Sequence, residues 1–77
     1  STDIRKGCDF IPAGETTKTV YFGYPFLEGE IPIIIVSFQD SVDFSITEVT
    51  EEYFTIEVST APSTDLPFFW VAVLPVP

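Results

Sequence analysis

The run Ile31-Pro32-Ile33-Ile34-Ile35-Val36-Ser37-Phe38 constrains this chain more than any other feature. Its β-branched content predicts a strand. Alternation along a strand sends Ile33, Ile35 and Ser37 to one face and Ile34, Val36 and Phe38 to the other. Both faces are then largely apolar. The run at residues 68–74 behaves the same way, with Phe68, Trp70, Ala72 and Leu74 opposing Phe69, Val71 and Val73. A two-sheet sandwich covers only one face of each sheet, so the second face needs another cover. No stretch reads as a helix that would supply it. Two covers remain: identical subunits, or the tail or another part of a longer parent protein. A soluble monomer does not leave so large an apolar patch exposed, and identical subunits are the expectation taken here. The expected interface residues are Ile33, Ile34, Ile35, Val36, Phe38, Phe69, Val71 and Val73.

The remaining strands are of the ordinary half-buried kind. Strands are predicted over residues 3–11, 16–22, 33–39, 42–49, 53–60 and 68–74, separated by turns rich in Gly, Pro and acidic residues. Phe54, Ile56 and Val58 alternate with Thr55, Glu57 and Ser59, and Val42, Phe44 and Ile46 alternate with Asp43, Ser45 and Thr47. One face of each strand is therefore oily and the other wet. The short loops between the third, fourth and fifth strands predict antiparallel hairpins. The fold class expected is all-β: a single domain over residues 1–77, built as a six-stranded antiparallel β-sandwich. Residues 1–9 are expected to form an N-terminal arm or edge strand. Trp70 is expected in the core.

Size sharpens the need for partners. A chain of 77 residues buries only roughly 60% of its unfolded surface. Such domains usually draw on a disulfide, a metal or other chains. Cys8 is the single cysteine and is expected to be a small buried or edge residue, so no internal disulfide can form. Histidine is absent, which removes the commonest transition-metal ligand. The chain starts with Ser and contains no Met, as a mature or excised piece would.

Charge excludes several function classes. Twelve acidic residues face three basic ones, for a net charge of −9. Such a surface repels phosphate backbones, so nucleic-acid binding is not expected. No apolar run reaches the ~18 residues needed for a membrane-spanning helix, and no membrane insertion is expected. Without His there is no Ser-His or Cys-His arrangement, and the carboxylates are spread over turns and wet faces. The chain is expected not to be an enzyme and to carry no cofactor. Asp40 and Asp43, like Glu51 and Glu52, flank turns, but no loop has the ligand spacing of a calcium loop. No metal site is expected.

The core positions form a recognisable series. Phe10-Ile11-Pro12-Ala13-Gly14-Glu15 leads into Thr19-Val20-Tyr21-Phe22. Tyr24-Pro25-Phe26 and Ile31-Pro32-Ile33-Ile34-Ile35-Val36 follow, then Val49-Thr50 with Tyr53-Phe54-Thr55-Ile56, and finally Phe69-Trp70-Val71-Ala72-Val73. This order resembles H-type lectin domains and the related terminal domains of bacteriophage tail fibres. The resemblance implies a trimer, a virion or extracellular location, and attachment to a cell-surface glycan or other receptor. Animal members of that family use an arginine and a Trp-His pair beside the sugar. Here the segment between the third and fourth strands has no Arg, and residues 61–65 contain neither Trp nor His. No sugar contact carries over residue by residue. The candidate ligand-binding residues are therefore loop positions expected between subunits: Tyr24, Asp40, Asp43, Ser63 and Asp65. A purely structural fibre, filament or capsid-decoration subunit is the alternative reading.

Overall fold

A computed structural model describes residues 3–75. It contains six strands: β1 (Asp3–Ile11), β2 (Thr17–Tyr21), β3 (Ile33–Phe38), β4 (Phe44–Val49), β5 (Tyr53–Val58) and β6 (Leu66–Leu74). All pairings are antiparallel, and no helix occurs among the described residues. The strands form two three-stranded sheets, ordered β1-β6-β3 and β2-β5-β4. Residues 76 and 77, at the end of the proline-bearing tail, lie outside the described residues.

The sheets meet through large side chains. Trp70 of β6 lies 5.8 Å from both Phe22 and Phe54, ring centre to ring centre. Phe38 of β3 contacts Phe44 of β4 at 5.3 Å and Phe68 at 5.5 Å. Ile11, Phe54, Ile56 and Ala72 are fully buried. This is the core that the alternation in the fifth and sixth strands predicted. Gly7 pairs with Trp70 across the β1–β6 ladder. A side chain at Gly7 would bring its Cβ to 3.0 Å from the indole, so the bare glycine is what lets Trp70 lie flat on β1.

Two expectations are corrected. The β3–β4 connection is not a hairpin. β3 pairs with β6 and β4 with β5, so residues 39–43 carry the chain from one sheet to the other. Aromatic packing of Phe38 against Phe44 across the sheets competes with local pairing, and it prevails. Second, β6 starts at Leu66, not at residue 68. Pro67 is admitted because it lies beyond the last β3 pair, Phe38 with Phe68, where only β1 runs alongside. The β4–β5 hairpin does form, with a register shift between Ile46 and Glu48. That bulge turns Val49 back toward the core after Thr47. β1 is an edge strand of the β1-β6-β3 sheet.

Candidate functional site

The strand β1 is inside out. Its register places Arg5, Gly7, Asp9 and Ile11 toward the other sheet, and Ile4, Lys6 and Cys8 away from it. Ile4 is 51% exposed, and Cys8 is exposed. Cys8 is therefore an edge-strand residue and not a buried one. Arg5 is 8% exposed. The reason is a stack: the Arg5 guanidinium lies 4.1 Å from the Tyr24 ring centre and 4.2 Å from that of Phe26. Its Nε donates to the Tyr24 carbonyl at 3.3 Å, its Nη2 approaches the Pro25 carbonyl at 3.4 Å, and it pairs with Asp3. A planar cation between two aromatic faces, with its donors used, is a sound way to bury charge. Nothing in local sequence announces the stack, because its rings are 19 to 21 residues away.

With Ile4 turned outward from β1, the outer face of the β1-β6-β3 sheet is largely apolar in successive cross-strand rows. Ile4, Val73 and Ile33 form one row, and Lys6, Val71 and Ile35 the next. Cys8, Phe69 and Ser37 form the third. Ile33 and Ile35 are 59% and 55% exposed, and Phe69 is 42% exposed. Of the eight expected interface residues, Ile33, Ile35, Phe69, Val71 and Val73 lie here. Ile34, Val36 and Phe38 instead pack against this chain's own core, because strand alternation turns them inward.

The five candidate ligand residues are divided. Tyr24 sits beside Arg5, in the loop after β2, near the start of β1. Asp65 sits at the other end, where its carboxylate accepts the Ala13 N–H at 2.9 Å. Six residues of extended β1, about 20 Å, separate Arg5 from Ile11. Asp40 and Asp43 line a shallow hollow of ≈ 400 Å³ with Ser59, Thr60, Pro62 and Leu66. Ser63 and Asp65 do not line it. The Asp43 carbonyl accepts from the Ser59 N–H (3.0 Å) and approaches its hydroxyl (3.3 Å), tying the rim of that hollow together. Asp40, Asp43 and Asp65 thus share one end of the sandwich, and Tyr24 stands at the opposite one.

Two other turn acids have structural partners. The Glu51 carboxylate accepts the Gly29 N–H at 2.8 Å, and Glu30 accepts that of Leu27 at 2.9 Å. These bonds pin the long β2–β3 connection. The Gly29 N–H beside Glu51 holds its carboxyl below the usual value of 4.5. Among the described residues, no three of the Cys, Asp or Glu side chains come together as metal ligands.

The outer face of the β2-β5-β4 sheet is different in kind. Tyr21 and Tyr53 are cross-strand partners with ring centres 5.3 Å apart, tilted by 55°. Thr19 and Thr55 form the next pair, with hydroxyls 3.3 Å apart. Glu48 pairs with Thr55 on the β4 side. The Glu48 carboxylate, aided by burial, holds the Tyr53 phenol above its ordinary value of 10.0. Local sequence does not announce the pair, since β2 and β5 are far apart in the chain. No protein-family model, curated protein or solved structure matches this chain.

Proposed function

We propose that the chain is a non-enzymatic subunit of an oligomeric attachment module of virion or cell-exterior type. Its copies, three by the resemblance to H-type lectin-like domains, cover one another's β1-β6-β3 outer faces. A surface glycan or other receptor binds between them. The observation that carries this reading is the three-row apolar face, to which even the inside-out β1 contributes Ile4. A solitary chain with net charge −9 gains nothing from turning Ile4 outward into solvent. A subunit does, because outward apolar side chains are buried on assembly.

One observation favours a purely structural fibre, filament or capsid-decoration subunit. The loop candidates are split between the two ends, and Asp65 is engaged by Ala13. Light scattering on a sizing column followed by a glycan array separates the readings. A mass three times the 8.6 kDa chain with selective glycan binding supports attachment. The same mass, or open-ended particles, with silence across glycans supports the structural role. A stable folded monomer overturns both.

A further inference from the structure

The two outer faces of this sandwich differ in chemistry, and the second has not been given a role. On the β2-β5-β4 sheet, the register sends Thr17, Thr19 and Tyr21 outward from β2, Tyr53, Thr55 and Glu57 from β5, and Ser45 and Glu48 from β4. At one end of this face, where β2 ends and β5 begins, lie two neighbouring phenol rings, with a hydroxyl pair and a carboxylate beside them. Tyr21 is 66% exposed. A cross-strand tyrosine that served packing alone would be expected to bury most of its ring, since the stabilisation scales with the apolar area removed from water. Tyr21 leaves most of its ring in solvent while its neighbour Tyr53 is half-buried and flanked by Glu48. The result is an aromatic step held on paired strands, and tyrosine rings have few side-chain torsions to fix on binding.

From this we infer that the Tyr21–Tyr53 step, with Thr19, Thr55 and Glu48, is a binding platform for a glycan free of acidic groups. The inference rests on the attachment reading, but it moves the site from loops between subunits to one face of each protomer. Aromatic rings offer apolar area for the C–H face of a sugar ring and a polar edge for its hydroxyls. The Glu48 carboxylate and the threonine hydroxyls accept hydrogen bonds from sugar hydroxyls at the rim. Charge selects the class of sugar. The ionisable side chains on this face besides the phenols are Glu48 and Glu57, both acidic. Sulfated, phosphorylated or sialylated chains meet like charge there, and uncharged chains do not. The apolar face is left free for assembly, so both surfaces operate in one particle.

The test is a chemical-shift titration of the isotopically labelled, assembled protein. The probes are neutral oligosaccharides of hexoses and N-acetylhexosamines, with sulfated counterparts alongside. The expected result is shifts clustered at Thr19, Tyr21, Tyr53 and Thr55 with neutral probes only. Tyr21→Ala is then expected to weaken binding at least about tenfold, the scale of an aromatic anchor. Tyr21→Phe retains most of the affinity, and Leu27→Ala, which removes another exposed apolar side chain, matches the parent. Neutral-sugar binding whose shifts cluster at Asp40, Asp43 or Tyr24, or that survives Tyr21→Ala unchanged, overturns the platform and leaves the attachment reading standing. A response to sulfated probes alone overturns the platform as well. The absence of shifts with every probe overturns the platform and leaves attachment only to a receptor that is not a glycan.

Discussion

Replacing Ile35 tests the covered face directly. Ile35 lies mid-strand in β3, in the row with Val71 and Lys6, and is 55% exposed in the single chain. Fully burying an isoleucine side chain is worth about 1.5–3 kcal/mol, so covering the exposed half contributes roughly 1 kcal/mol per subunit. In a trimer the three copies together contribute about 3 kcal/mol, or about a hundredfold in the assembly constant. Ile35→Thr keeps the β-branch and removes most of this term, so the midpoint concentration for assembly rises while the fold is retained. Ile35→Asp goes further. It asks each subunit to bury a carboxylate, at an effective cost of several kcal/mol per charge. Its mass by light scattering is expected to drop to that of one 8.6 kDa chain at micromolar concentration. Near-ultraviolet circular dichroism of Trp70 separates dissociation from unfolding. An Ile35→Asp protein with the mass and stability of its parent would refute the reasoning, since a carboxylate there would then be facing water.

Three further outcomes follow from the geometry. Arg5→Lys is expected to destabilise by about 2–3 kcal/mol in chemical denaturation, because an ammonium does not stack flat between Tyr24 and Phe26 while reaching two carbonyls. Gly7→Val is expected to cost about 1–3 kcal/mol, the usual range for overpacking. It also shifts Trp70 fluorescence, since even a single added carbon approaches the indole to 3.0 Å. Acid is expected to loosen the connection between β2 and β3. The Glu51 carboxyl is held below its usual 4.5, so its contribution is fully present above that value and is lost as pH falls through the depressed one. The protection factor of the Gly29 amide against hydrogen exchange then falls at low pH in the parent, and in Glu51→Gln it is already low at neutral pH.

Much of the fold was legible because it rests on local alternation. Phe54, Ile56 and Val58 could only face inward together, and Trp70 with Ala72 completes the same layer. Turn residues marked every strand boundary to within two or three positions. The β3–β4 hairpin was misread because a short connection fits equally well a return to the same sheet or a step to the other one. What decides is the packing of Phe38 on Phe44, a contact between sheets that spacing does not encode. The candidate site was less legible still. Asp40 and Asp43 do line one hollow, but Tyr24 belongs to the Arg5 stack at the far end.

The sequence by itself determined an all-β chain with a marginal core, an acidic surface and two strands apolar on both faces. Those properties follow from composition and a period of two, which act residue by residue. Only the tertiary structure decided which strands share a sheet. It also turned β1 inside out and set Tyr21 beside Tyr53. These depend on pairings between residues about 30 to 70 positions apart, such as Ile4 with Val73 or Tyr21 with Tyr53. Their register is fixed by the packing of both sheets at once, around Trp70, and not by any local signal.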